Sequence, residues 1–369
     1  MKFIIAGNVI EITSLSQVMD DEFVSLHEAY FGQGSLNWDR FESLAIEFFD
    51  EHPDPSQPEH DSYFNNFTVI WRHFLAGRNF EQAEHIWRMA LSPALAWEDN
   101  SSGNRVHKGT PYYFWGWTAL QRGDLDKAYA LLHLAVGEDV ATTGRDLPDT
   151  PAYWFASLDY EKAARAFGGE WLYSQMKYLD DRQNTYSSRH NRPFQLADFK
   201  SQFLNTPPSV DIAFLFAYTV ARLMQLHSVP ARALSTGFAG QLEANLLFDL
   251  ALVIDGAIKN RNPNSWRFID HAEYLLRNAG QPLNNAQLGD INQAFNNDFD
   301  NALSTILDGQ FTLSNNVPLS VAQTDVALAY GIRNRGAHDV TSAPTVWKRF
   351  SEIDQALFSA LFLTVDFLY

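Results

Sequence analysis

The sequence predicts an all-α protein in which an array of helical hairpins is followed by a C-terminal helical bundle. From about Ser62 to Asp180, apolar residues recur at helical spacing in paired blocks, which is the pattern of packed helices. Two later segments, Val210 to Leu226 and Gln241 to Lys259, are apolar nearly all round and are expected to be buried on every side. The end of the chain carries a single apolar stripe, as a helix packed lengthwise on a core does.

Composition narrows the class of protein further. The chain has 369 residues, of which 46% are hydrophobic and 19% are charged, as in folded globular proteins. Cysteine is absent, which excludes disulfides, thiolate metal sites and a cysteine nucleophile. The apolar run at the start of the sequence is too short and too soon interrupted for a signal peptide. No uncharged apolar run reaches about 20 residues, the length that a membrane-spanning helix needs. We therefore expect a cytoplasmic protein without a membrane segment, a metal or a cofactor.

The negative charge is spread unevenly. The formal net charge of −17 argues against sequence-blind binding of nucleic acid, because that affinity comes from neutralised phosphates. Residues 1–200 carry 17 Lys and Arg against 29 Asp and Glu, whereas residues 201–369 carry 10 against 15. A local basic site is therefore expected in the second half, while the first half would repel RNA.

Residues 1–60 are predicted to form a separate N-terminal segment. A short β-like run covers Phe3 to Ile12, and apolar spacing predicts a helix from Trp38 to Phe49. The polar stretch from His52 to Asp61 contains three prolines, which exclude a helix and predict an exposed loop or linker.

Residues 61–200 are predicted to form the hairpin array. Its clearest block places bulky residues and a glycine on one helix, then a Gly-Asp turn, then small residues on a second helix: Tyr112, Trp115, Gly116, Gly123, Asp124, Leu125, Ala128, Leu132 and Ala135. This block resembles the tetratricopeptide repeat. A similar block runs from Phe67 to Ala90, about 45 residues earlier, and a third aligns loosely between Tyr153 and Tyr178. Helical hairpins without repeat ancestry would have the same architecture.

The polar stretch from Asn191 to Pro208 ends in Thr-Pro-Pro, which cannot continue a helix. We place the domain boundary there and expect a C-terminal domain over residues 208–369. Further helices are expected near Trp266 to Asn278 and near Ala286 to Leu307. Ser320 and Gln323 have the spacing of a capping box and predict the start of the penultimate helix, which runs into Arg333. The last helix is predicted from its stripe, formed by Val346, Phe350, Ile353, Leu357, Leu361, Thr364 and Leu368.

The segment Arg333-Asn334-Arg335-Gly336-Ala337-His338 follows this penultimate helix. It resembles the signature of the HEPN superfamily, in which an arginine and a histidine are separated by four to six residues, a polar residue directly follows the arginine, and the motif lies in a compact helical bundle. The resemblance covers roughly Val210 to Tyr369, with tetratricopeptide-like helices in front. It implies a metal-independent endoribonuclease whose site lies at a homodimer interface, in a toxin or an antiphage defence system.

Physical chemistry supports such a role for these residue types. RNA supplies its own nucleophile, the 2′-hydroxyl, so a protein need only move a proton and stabilise charge on the phosphate. His338 would act as general base or acid, Arg333 as the phosphate clamp, and Asn334 would orient either group. On a continuous helix, however, positions 333 and 338 lie about 140° apart. We therefore expect the helix to open near Gly336, the site to combine two subunits, or both.

Several other residues complete the expected site. Arg335, Lys348 and Arg349 are candidate RNA contacts. Asp249 and Asp255 lie in an apolar helix, where a carboxylate is costly to bury unless it is paired, so we consider them as accessory acids that pair with Arg333 or Arg335. The competing interpretations are an ordinary C-terminal helix cap for the motif and structural ion pairs for the acids. The alternative function is a non-catalytic scaffold that dimerises through its C-terminal domain and binds a protein, a peptide or RNA.

Overall fold

The computed structural model describes the backbone of the chain except at residues 1, 6–7, 12–13, 18, 55–59, 61, 101–104, 229–236, 266 and 340–342. It also leaves out the side chains of residues 2–5, 8–11, 33, 237–241, 243 and 335–339, whose backbone it describes. The chain forms two compact units. Unit 1 comprises residues 1–155 and 159–170, and unit 2 comprises residues 156–158 and 171–369. Nearly all of the described regular structure is helical, which confirms the all-α class.

The first part of the chain begins with a small antiparallel hairpin, in which Lys2 pairs with Glu11 and Ile5 with Asn8. The β-like run expected from Phe3 to Ile12 is thus two strands. The elements up to residue 163 are β1 (Lys2–Ile5), β2 (Asn8–Glu11), a 3-10 turn (Leu15–Gln17), α1 (Asp21–Gln33), α2 (Trp38–Glu51), α3 (Asn65–Ala76), α4 (Phe80–Asn100), α5 (Gly109–Arg122), α6 (Leu125–Thr143), α7 (Pro151–Ala156) and α8 (Tyr160–Ala163).

The remaining elements continue to the end of the chain. They are α9 (Gly169–His190), α10 (Leu196–Phe199), a π-helical turn (Lys200–Leu204), α11 (Val210–His227), α12 (Gly237–Arg261), α13 (Phe268–Asn278), α14 (Asn285–Asn297), α15 (Phe299–Leu307), α16 (Val321–Asp339), α17 (Pro344–Lys348) and α18 (Phe350–Leu368). No helix in the described part of the chain is both long and apolar enough to cross a membrane.

The packing of α5 against α6 explains the small residues of the clearest hairpin block. A Cβ added to Gly116 would lie 3.1 Å from Leu132 Cγ and 3.2 Å from the carbonyl oxygen of Ala128, so a larger residue would force the two helices apart. Gly123 ends α5 with a φ of +87°, and Asp124 then caps α6 by accepting a hydrogen bond from the amide of Lys127. The hairpin therefore follows from its glycines and its cap.

Three turns between helices in the first half of the chain share one backbone geometry. The residues with positive φ are Arg78, Gly123 and Leu158. In each turn the next amide donates to the carbonyl five residues before it: Asn79 to Phe74, Asp124 to Ala119 and Asp159 to Trp154. The third turn lies 35 residues after the second, but α7 and α8 have only six and four residues. The resemblance of these hairpins to tetratricopeptide repeats stays a prediction.

The N-terminal segment differs from its prediction in two respects. Helix α1 was not expected, whereas α2 lies where a helix was predicted. His60, which was expected in an exposed loop, is buried: its Nε2 lies 2.9 Å from the carbonyl oxygen of His52, and its ring contacts Trp97. Residues 55–59 and 61 of the same loop lie outside the described residues.

Helix α9 places the boundary between the units earlier than the sequence indicated. We expected it between residues 200 and 208, yet all of residues 171–369 belong to unit 2, as do residues 156–158. Two arginines of α9 bind carboxylates of later helices: Arg182 binds Asp354 of α18 at 2.7 Å, and Arg189 binds Asp325 of α16 at 2.7 Å. Arg192, which lies two residues after α9, binds Asp366 of α18 at 2.8 Å. These pairs join residues that are far apart in the chain, so helical periodicity alone could not reveal them.

The helices expected in the second half form the core of unit 2. In α18 most described side chains are buried, and its stripe residues from Phe350 to Thr364 are almost fully so, whereas about half of the described side chains of α11 and α12 are buried. A Cβ on Gly256 would lie 2.6 Å from Ile212 Cδ1, which shows how closely α12 approaches α11. The helix predicted near Ala286 to Leu307 is split at Asp298, which ends α14 and caps α15.

Candidate functional site

Helix α16 carries the Arg-Asn-Arg-Gly-Ala-His segment and is fixed at its start and in its middle. At the start, Gln323 N donates to Ser320 Oγ at 3.3 Å and Ser320 N donates to Gln323 Oε1 at 2.9 Å, which is the predicted capping box. In the middle, Gly331 lies against Phe295 of α14. An added Cβ would come within 2.3 Å of the phenyl ring, so this helix approaches α14 as closely as a glycine allows.

Two residues after Gly331, Arg333 pairs with an acid from the centre of α12. Its Nε donates to Oδ2 of Asp255 at 3.1 Å. The side chain of Arg333 is 36% exposed and that of Asp255 is 15% exposed. The structure thus brings together two of the residues singled out in the sequence. Among the described residues the structure shows no hydrogen bond from the terminal nitrogens of this guanidinium, which can therefore meet an external acceptor such as a phosphate oxygen.

A third residue, His271 of α13, binds the other oxygen of the same carboxylate. Its Nδ1 donates to Oδ1 of Asp255 at 2.6 Å, and its side chain is 1% exposed. Burial by itself would raise the pKa of Asp255, but the hydrogen bond from His271 and the charge of Arg333 outweigh it and lower that pKa below its usual value. Asp255 is therefore an anion at neutral pH that bridges a buried imidazole and a partly exposed guanidinium.

His271 was missed in the sequence, although a signal was present. Helix α13 buries Phe268, Ala272, Leu275 and Leu276 on one side, and His271 belongs to that side. A histidine among buried apolar positions requires a polar partner, which here is Asp255. By contrast, the arginines at the two ends of α13 pair with acids of the same helix, Arg267 with Asp270 and Arg277 with Glu273.

The rest of the motif is placed less completely. Asn334 is half-buried beside Arg333. The side chains of Arg335 and His338 lie outside the described residues, but the backbone at both positions belongs to α16, which continues to Asp339. The expected opening of the helix near Gly336 is therefore wrong. Since positions 333 and 338 lie about 140° apart on a continuous helix, a second subunit is the alternative that remains for a composite site.

The two further candidate RNA contacts differ in availability. Lys348 is exposed at the end of α17. Arg349 is held by Glu352 and Asp308, and the hydrogen bonds with these two acids raise the pKa of its guanidinium. Because two carboxylates already neutralise Arg349, its position argues against a role in binding phosphates.

Asp249, the second candidate acid, has different surroundings from Asp255. It lies six residues earlier on α12, which places it on another side of the helix. Its nearby cation is Arg222 of α11, and burial raises the pKa of its carboxyl to about 6 despite that charge. The structure therefore does not bring Asp249 to the Arg333 site.

Comparison with protein-family models, with curated proteins and with solved structures finds no match to this chain.

Proposed function

We propose that the C-terminal half of this protein is a metal-independent endoribonuclease of the HEPN type. The observation that carries the proposal is the state of Arg333: Asp255 holds its guanidinium through Nε, while the side chain stays 36% exposed. A cation that is fixed in direction and open to solvent suits a phosphate group, because little ordering is needed when the phosphate binds.

The roles follow from the chemistry of RNA cleavage by its own 2′-hydroxyl. Arg333 stabilises the charge that develops on the phosphate, His338 transfers the proton, and Asn334 orients one of them. Arg335 and Lys348 contact the RNA backbone. Because α16 is continuous, we place Arg333 of one subunit and His338 of another at the same phosphate in a homodimer.

The hairpin region would supply regulation. Residues 1–200 carry a large excess of acids, so a negatively charged RNA is a poor ligand for them. A protein or peptide ligand on the tetratricopeptide-like hairpins is the proposed trigger or restraint of the nuclease. A toxin or antiphage setting and a cytoplasmic location belong to the same proposal and rest on the resemblance of the motif.

Labelled RNA incubated with the full chain in EDTA tests the activity. We expect cleavage that leaves 2′,3′-cyclic phosphate ends and that falls by about 100-fold or more in Arg333→Ala and His338→Ala variants. Arg277→Ala is the matched control, because it removes an exposed arginine that is already paired with Glu273. Equal cleavage by the parent and all variants would point to a contaminating nuclease, and loss of cleavage in the control as well would point to unfolding.

One observation favours the non-catalytic alternative. Asp255 compensates the charge of Arg333, and Arg349 is also neutralised, so these two cations add little net positive charge to the site. If RNA is bound but not cut by the parent, and if both variants behave as the parent does, the C-terminal unit is a scaffold. Light scattering complements the assay, because a strict monomer would contradict the two-subunit site.

A further inference from the structure

We infer that His271 is a positioning residue for Arg333 and that it acts through the carboxylate of Asp255. This inference rests on the proposed function for its meaning in catalysis, but the positioning itself can be tested without RNA. His271 lies outside the motif that suggested the function, and it sits on a different helix from Arg333 and from Asp255.

The geometry forms a chain of two hydrogen bonds from the protein interior to the surface. His271 Nδ1 donates to Asp255 Oδ1 at 2.6 Å, and Arg333 Nε donates to Asp255 Oδ2 at 3.1 Å. Side-chain exposure rises along the chain, from 1% at His271 through 15% at Asp255 to 36% at Arg333. The buried end is therefore the one that cannot move, and the exposed end is the one that can meet a ligand.

The imidazole is itself held in place by aromatic packing. Its ring meets that of Phe268 at 6.4 Å and nearly edge to face, and Phe268 stacks on Tyr330 of α16 at 6.0 Å. Tyr330 lies three residues before Arg333, on the same helix. Helix α13 thus contacts α16 twice near the site, once through rings and once through the carboxylate of Asp255. A carboxylate held at one oxygen by a fixed donor presents its other oxygen in a defined direction.

Removal of the imidazole donor would affect Asp255 in two ways. The carboxylate would be able to rotate, and burial, which is the largest influence on its pKa, would favour the protonated acid. A neutral Asp255 attracts a guanidinium much less, so Arg333 would be released into solvent. His271 also has a buried Nε2 without a hydrogen-bond partner among the described residues, which means that its bond to Asp255 is the polar contact that the structure shows for it.

Two substitutions of His271 test whether the position of the hydrogen-bond donor matters, or only the presence of a polar side chain. The amide nitrogen of asparagine can take the place of Nδ1, whereas that of glutamine takes the place of Nε2. His271→Asn should therefore keep the bond to Asp255, and His271→Gln should lose it. His190→Asn is the matched control, because His190 uses Nε2 to bind the buried Asp325 at 2.8 Å. That variant damages a comparable buried pair elsewhere in unit 2.

The first readout is the Nε–H resonance of Arg333 in arginine-labelled protein, assigned by its disappearance in Arg333→Lys. We expect a resonance separate from those of solvent-exposed arginines in the parent, in His271→Asn and in His190→Asn, and its collapse into the exposed group in His271→Gln. A folded His271→Gln variant that keeps the separate resonance would overturn the inference, as would a parent in which Arg333 has no separate resonance.

The second readout is the rate of RNA cleavage. Since a misplacement of about 1 Å can cost on the order of 100-fold, we expect His271→Gln to lower kcat by about 10- to 100-fold with little change in KM, and His271→Asn to stay near the parent. An equal fall in kcat for both variants would overturn the inference. If the parent does not cleave RNA, the proposed nuclease fails, while the resonances still decide whether His271 positions Arg333.

Discussion

Two clusters in unit 2 combine an arginine, a histidine and an aspartate in the same way but differ in the exposure of the aspartate. The sealed cluster consists of Arg189, His190 and Asp325, and the open cluster consists of Arg333, His271 and Asp255. In both, a carboxylate receives an imidazole on one oxygen and a guanidinium on the other. The two arginines are almost equally exposed, at 37% and 36%, but Asp325 is 0% exposed and Asp255 is 15% exposed.

This difference in burial reverses the direction of the pKa shift. In the sealed cluster, burial outweighs the bonds from His190 and the charge of Arg189, and the pKa of Asp325 is raised. In the open cluster the partners outweigh burial, and the pKa of Asp255 is lowered. Where burial influences the pKa of the carboxylate more than its partners do, the ion pair holds helices together but adds little net stability. Where the partners influence the pKa more than burial does, the carboxylate and the guanidinium both stay charged and remain in reach of solvent, as a binding site requires.

The largest effect that separates the clusters is the loss of one arginine from each. Arg189→Ala leaves a fully buried carboxylate with one partner fewer, so the free energy of unfolding should fall by about 3 kcal/mol. Arg333→Ala leaves a carboxylate that water can reach and that His271 still binds, so the fall should be only about 1 kcal/mol. Urea unfolding near neutral pH, followed by circular dichroism, measures both.

The equal exposure of the two arginines makes each variant the control for the other. If the losses were equal, the burial of the carboxylate would not govern these clusters, and the distinction between a sealed structural pair and an open functional one would fail. A larger loss for Arg333→Ala would place the more important structural pair at α12 and α16.

The dependence of stability on pH should have opposite signs in the two clusters. Because the folded-state pKa of Asp255 is lowered, its stabilisation is present above the unfolded value of about 3.9 and is lost as the pH falls through the folded-state value. The pKa of Asp325 is raised, so its contribution is present below about 3.9 and is lost as the pH rises through the folded-state value.

Asp255→Asn should therefore cost about 1 to 2 kcal/mol near neutral pH, and this cost should shrink on acidification. Asp325→Asn should instead gain stability relative to the parent as the pH rises, because the parent then loses the contribution of the protonated acid. Urea unfolding of the parent and both variants across the acidic to neutral range tests the two trends. Parallel trends would show that both carboxylates experience the same balance of burial and pairing, which would remove the reason for treating them differently.

Local sequence signals were sufficient for much of the fold. The capping box at Ser320 and the helices α11, α12 and α18 lie where periodicity placed them, because caps and apolar stripes depend on residues within a few positions of each other. The pairing of a carboxylate of α12 with Arg333 was considered for a similar reason, since an acid in an apolar helix needs a cation.

The parts that the sequence did not reveal depend on distant partners. Arg182 and Asp354 are 172 residues apart, and no local pattern shows that cations of α9 pair with carboxylates of α16 and α18. His271 was missed for the same reason, because its meaning depends on Asp255, a residue of another helix. The unbroken backbone of α16 through Gly336 shows that a glycine near the end of an apolar pattern is not sufficient to end a helix.

The smallest of these effects concerns a third carboxylate, Asp249, which tests whether the imidazole distinguishes the open cluster. Asp249 shares α12 with Asp255 and has Arg222 nearby, but burial raises its pKa to about 6. Its protonated form is therefore favoured on folding, and its contribution to stability is lost as the pH rises through about 6.

Asp249→Asn should match the parent under acidic conditions and exceed its stability by about 1 kcal/mol above neutral pH, because the variant has no charge to desolvate. Urea unfolding at the two pH values measures this difference. A destabilised variant above neutral pH would mean that a nearby cation suffices to make a buried carboxylate of α12 favourable, and the bond from His271 would then not be what distinguishes Asp255.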